Sequence, residues 1–150
     1  MKKLVSESLN ELYKFEKKGN ALDSLNIGKK SLIISWLDKM NVTDYIINDD
    51  LTIDCKFSLF FRIDLVKFPE YIQFNFMHQS FWCNDCNLVT LRGCPRIVKG
   101  NFDCSDNFLD SLEGCPEEVD GHFYCVFNKI KKFTIEDVKK VCRVKGVIQV

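Results

Sequence analysis

The sequence has no run of about 20 apolar residues, so nothing in it reads as a bilayer-spanning helix. It also lacks an excess of either charge, with Lys+Arg and Asp+Glu both at 21. A general phosphate-backbone binder carries a basic excess, so no nucleic-acid partner is expected. Paired lysines (Lys17-Lys18, Lys29-Lys30, Lys131-Lys132, Lys139-Lys140) mostly have acidic neighbours and read as solvated faces. Histidine is scarce, with only His78 and His122. There is no phosphate-cradling glycine loop and no carboxylate pair in a distinctive setting, so no catalytic residue, enzyme activity or cofactor is expected. Met1-Lys2-Lys3 is followed by Ser6, Glu7, Ser8, Asn10 and Glu11 rather than the apolar core of a signal peptide. The expectation is a cytoplasmic protein with no membrane partner.

What the chain does have is cysteine, eight in 150 residues. Such a count suggests a disulfide scaffold or a zinc site until the positions are compared. Phe102-Asp103-Cys104 returns as Phe123-Tyr124-Cys125, an offset of 21 residues (125 minus 104), and one step back lies Phe81-Trp82-Cys83. Between these blocks Leu91-Arg92-Gly93-Cys94-Pro95 returns as Leu112-Glu113-Gly114-Cys115-Pro116, Val98 as Val119, and Gly100 as Gly121. Each unit reads apolar-x-Cys-x-x-Asn/Cys-x-apolar, the leucine-rich-repeat pattern of a short strand followed by a turn. Cys86, Asn107 and Asn128 occupy the turn, where an Asn amide can satisfy the backbone groups of stacked bends. Ile53-Asp54-Cys55 is read as a degenerate first unit, with Ser58 at its turn, and Phe68-Pro69 resembles the later Cys-Pro step. Val147–Val150 is read as a last strand behind a short helix capped by Thr134, with Asp137 at its third position.

The first 50 residues differ. Val5, Leu9, Leu12 and Tyr13 form one stripe at helical spacing, and Leu32, Ile33, Trp36, Leu37 and Met40 form another, punctuated by Gly19 and Gly28. The predicted fold is α/β: a short, right-handed, leucine-rich-repeat-like parallel β solenoid of about five rungs over 51–150. A two-helix N-terminal cap covers 1–50, and a helix and strand cap the C-terminus. Strands are expected near 52–55, 81–83, 102–104, 123–125 and 147–150.

The run Asn48-Asp49-Asp50-Leu51-Thr52-Ile53-Asp54, the Leu-Glu-Gly-Cys-Pro units and the ending Lys132-Phe133-Thr134-Ile135-Glu136-Asp137-Val138 resemble a leucine-rich-repeat-like family common in bacteriophage genomes. The resemblance implies the solenoid fold and a viral origin, hence the host cytoplasm. It does not imply a particular function.

With the repeat accepted, Cys55, Cys83, Cys104 and Cys125 share one column, and Cys94 and Cys115 another. These positions are expected to be small, buried, reduced and metal-free. Zinc would need Cys83-x-x-Cys86 with Cys94 and Cys104, but no second C-x-x-C follows and a ladder of strand residues does not converge on a tetrahedron. Rungs about 4.8 Å apart would permit disulfides by distance; a reducing cytosol argues against them. A Cys104 or Cys125 nucleophile beside His122 is set aside, because an inward thiol is unactivated and His122 is expected at the surface.

The outward column holds the candidate partner-binding residues: Trp82, Asp103 and Tyr124, flanked by Asn101, His122 and Asn84. Aromatics on a repeat surface are common anchors. Trp82 and Tyr124 are expected about 9.6 Å apart with Asp103 between them, a slot suited to a partner Arg or Lys. Five rungs give a face only about 20 Å wide, short of the roughly 800 Å² per partner of a standard interface. A tight partner must also touch the helical cap, the segment 61–80 or the convex side. The function expected is a protein–protein interaction module acting on a host protein, with a virion or assembly component as the alternative.

Overall fold

The computed structural model describes residues 21–150. The chain divides into two compact units, Met1–Asn41 and Val42–Val150. In the first, helix α1 spans Ala21–Lys39. Ile33, Trp36 and Leu37 of the predicted stripe are buried, while Leu32 is exposed. Gly28 lies inside this helix and does not interrupt it; among the described residues, its own helix backbone and chain neighbours aside, nothing lies within 4 Å of where its Cβ would be. The helix expected around Val5–Tyr13 falls outside the described residues.

The second unit is a parallel β solenoid of about five turns, each turn giving a two- to four-residue strand to each of two sheets. The first sheet contains β1 (Tyr45–Ile47), β2 (Ile53–Cys55), β4 (Phe74–Met77), β6 (Ile97–Val98), β8 (Glu118–Val119) and β10 (Arg143–Val144). All its pairings are parallel except that of β1, which folds back antiparallel on β2. The second sheet contains β3 (Leu59–Phe60), β5 (Phe81–Trp82), β7 (Phe102–Asp103), β9 (Phe123–Tyr124) and β11 (Ile148–Gln149), all parallel.

Strand alternation sends every second side chain inward. Phe81 pairs with Phe102 and Phe102 with Phe123, and all three are fully buried. Their rings pile up between the sheets, with centroids 6.1 Å apart for Phe81–Phe102 and 5.2 Å for Phe102–Phe123. Each such ring contributes roughly 1.5–3 kcal/mol by leaving water. Gly93 and Gly114 turn the chain toward the first sheet at φ +99° and +88°, a region open to glycine at little cost.

Two side-chain ladders hold the turns in register. At the corner between the sheets, Ser58 Oγ accepts the Ser80 N–H (3.2 Å) and Ser80 Oγ accepts the Asn101 N–H (2.9 Å). Asn101 Oδ1 accepts the His122 N–H (2.8 Å), and His122 Nδ1 accepts the Val147 N–H (2.9 Å). At the turn after the second sheet, Asn107 donates to the carbonyls of Cys83, Cys104 and Ser105 and accepts from the N–H groups of Cys86 and Leu88. Asn128 repeats the pattern one turn on, and Cys86 fills the position a turn earlier, its thiol donating to the Phe61 carbonyl at 3.2 Å. Helix α2 (Ile135–Lys139) carries the expected Thr134–Asp137 capping box.

Several expectations are corrected. Ile53–Cys55 belongs to the first sheet, so Cys55 stacks under Met77 and not in the Cys83 column. The Phe81 register falls instead on Leu59, 22 residues earlier (81 minus 59). Ser58 is therefore a corner residue, not a turn residue. The stretch 61–80 contains a complete first-sheet strand, Phe74–Met77. Gln73, not Phe68, meets the Cys94 backbone, through a 2.8 Å bond from its amide.

Candidate functional site

The outward side of the second sheet is built by the residues that alternate with the buried phenylalanines. Trp82, Asp103 and Tyr124 stand there in register, all half-buried. The Trp82 and Tyr124 rings close over Asp103 and stack, with centroids 6.3 Å apart at 17°. This removes the expected slot for a partner cation, because rings two rungs apart lean together to shed water. The Asp103 carboxylate is drawn to the backbone, accepting the Ser105 N–H at 2.9 Å.

Sequence reasoning missed Phe60. Its ring stacks on Trp82 at 5.8 Å and 5°, and it is 59% exposed, extending the column to a third aromatic. Comparing Ser58-Leu59-Phe60 with Ser80-Phe81-Trp82 at an offset of 22 would have found it. Among the described residues no hydrogen bond engages the Trp82 indole N–H or the Tyr124 hydroxyl, so both polar groups are available to a ligand.

The flanking candidates divide. Asn101 and His122 are half-buried corner residues whose acceptors are spent on the ladder, so His122 is not the free surface imidazole expected. With Nδ1 accepting, the proton of a neutral His122 sits on Nε2. Its ring also meets Tyr124 edge-on, with centroids 6.0 Å apart. Asn84 lies past the strand, half-buried, its carbonyl 3.4 Å from the Cys86 sulfur as the second, longer acceptor beside Phe61.

The interior holds the thiols. All eight cysteines are free and seven are buried, Cys115 being half-buried. Burial pushes Cys55, Cys115 and Cys142 up to about 12 and Cys86 to about 11, and holds Cys94 and Cys104 well above the ordinary thiol value. Such thiols stay protonated near neutral pH and are poor nucleophiles. Among the described residues no group of three or more His, Cys, Asp or Glu side chains is placed to hold a metal ion.

Outside the first sheet the charges interlock. Lys145 Nζ lies 2.8 Å and Lys99 Nζ 3.2 Å from the Asp120 carboxylate, and Glu118 pairs with Arg143. The Lys145 ammonium, with Lys99, holds Asp120 at about 2, and Arg143 lowers Glu118. Every carboxylate in this cluster has a cation, so its chemistry is structural. A cleft of about 620 Å³ runs along the outer turns between Lys67–Gln73 and Arg92, Asp110 and Glu113, with mixed polar and apolar walls. Among the described residues no helix is long and apolar enough to cross a membrane. No protein-family model, curated protein or solved structure matches the chain.

Proposed function

We propose that this chain is a non-enzymatic protein–protein interaction module whose partner docks on the outward column of the second sheet, with Trp82 and Tyr124 as anchors. The observation that supports this reading is the stack Phe60–Trp82–Tyr124. The fold needs its inward phenylalanines, but any strand-forming polar residue would serve on the outward side. Aromatics with unspent N–H and O–H donors are the composition of interface hot spots. Resemblance to phage leucine-rich-repeat-like proteins supports a phage origin, which makes a host protein the partner to seek.

Affinity capture from infected-cell lysate, run with wild type, Trp82→Ala and Tyr124→Ala, tests the reading. Wild type retains a partner. Each variant weakens that complex by about 2 kcal/mol, roughly 30-fold in Kd, while its thermal midpoint stays near wild type. Equal retention by both variants removes the column as the site.

A further inference from the structure

The last turn of the solenoid is chemically unlike the one beneath it. Residues 101–128 carry seven acidic side chains and no Lys or Arg, whereas 129–150 carry seven basic and two acidic, a net +5 (7 minus 2). Arg143 and Lys145 face down onto Glu118 and Asp120. Among the described residues Lys129, Lys131 and Lys132 make no ion pair; the first two lie over the Phe108 and Phe133 rings, at 4.5 and 5.3 Å. The same turn leaves apolar side chains uncovered. Ile130 stands one 21-residue step (130 minus 109) above the fully buried Leu109, yet is 63% exposed, and Val147 is 61% exposed.

Among the described residues the backbone is open at the same place. Phe81, Phe102 and Phe123 donate their N–H groups to the next strand, at the carbonyls of Asn101 (2.8 Å), His122 (2.9 Å) and Val147 (2.9 Å). Ile148 stands in the register of Phe123, so its N–H and C=O point away from β9, and β11 is the edge of the sheet.

We propose that this edge binds an acidic, extended segment of a protein partner, which adds to β11 as the sixth strand of the five-stranded second sheet. Main-chain bonds to Ile148 supply affinity, and alternate side chains supply specificity. The partner's apolar residues cover Ile130 and Val147, and its carboxylates meet Lys129, Lys131 and Lys132. The arrangement repeats one inside the molecule, where the acidic turn is held by cations from both neighbours, Arg92–Glu113 below and Lys145–Asp120 above. A second copy would bring the same basic turn against itself. A flat anionic membrane would also feel the acidic turn about 4.8 Å below, inside a Debye length of about 8 Å.

The test uses a labelled peptide of about ten residues alternating Val and Glu, beside one alternating Val and Lys. The Glu peptide binds and weakens at high salt, and amide resonances shift at 127–132 and 147–150. Combined Lys129→Glu, Lys131→Glu and Lys132→Glu reverses the preference toward the Lys peptide by tenfold or more. Trp82→Ala leaves peptide binding unchanged, which separates this edge from the aromatic column. Equal binding of the two peptides overturns the proposal, as do shifts confined to other residues and an Ile148 N–H protected from exchange without peptide. Salt-sensitive binding to phosphatidylserine vesicles without peptide binding, or a wild-type dimer buried at this edge, likewise overturns it.

Discussion

A buried amide side chain is costly unless both its ends are used, and Asn107 uses both. Fully buried, it makes five hydrogen bonds of 2.8–3.2 Å that tie three backbone carbonyls to two N–H groups across two turns. Asn107→Ala would orphan those groups, each at about 1–3 kcal/mol. We expect a loss of about 3 kcal/mol or more in urea unfolding, against a smaller loss for Asn128→Ala, whose bonds run from 3.2 to 3.4 Å. Equal effects would mean that the ladder does not set the stability. Asp120 acts at the surface through charge. Its carboxyl is depressed from the ordinary 3.8 to about 2, chiefly by Lys145, and Glu118 is lowered in the same direction by Arg143. A depressed folded-state pKa means that the contribution is fully present above the unfolded value and lost as pH falls toward the folded one. Melting followed from pH 5 to 2 should show stability falling, for Asp120 over about 4 to 2, with a shallower fall in Asp120→Asn. A variant that tracks wild type throughout would contradict this.

At the scale of elements, the corner between the sheets permits no side chain at one position. A Cβ on Gly121 would lie 2.3 Å from Asn101 Oδ1 and 2.6 Å from the Gly100 carbonyl. We expect Gly121→Ala to cost roughly 1–3 kcal/mol, measurable as a lower urea midpoint; an unchanged midpoint would show that the corner is looser than it looks. These corners also explain what the sequence made legible. The regular stretch 81–128 declared its period through Phe, Gly, Cys and Asn at fixed offsets, so the phenylalanine column and the asparagine turns could be read; the Thr134 cap was legible separately, from helical spacing after it. The first sheet could not. Its strands are two to four residues long, and of its inward residues Ile53, Cys55, Phe74, Met77, Val98 and Val119 only the last two share a residue type. A bulge between Ile53 and Asp54 and the extra residue before Phe81 shifted the phase, which put Cys55 in the wrong column and hid Phe60. The candidate column was half legible: alternation turned Trp82 and Tyr124 outward, but the ring stacking depends on side-chain angles that no spacing encodes.

The second unit as a whole is a one-dimensional stack, in which each turn touches only its neighbours and stability is a sum of turns and interfaces. Its charge follows the same logic, acidic residues of one turn lying between cations of the next, although exposed pairs of this kind are each worth about 0–1 kcal/mol. The 21-residue turn is the unit of the structure, and its outward face is free of the fold. Deleting residues 101–121 is the decisive test, because Gly100, which lies one turn below Gly121 and accepts its N–H, then takes its place before His122. Phe123 should then stack on Phe81, Tyr124 stand beside Trp82, and Asn128 take the Cys83 carbonyl that Asn107 now holds. This variant should unfold cooperatively in urea with a smaller m-value, while deletion of 101–111, half a turn, gives an unfolded chain. If both deletions unfold the chain, or both leave it folded, the turn is not the unit and the solenoid register described here is wrong.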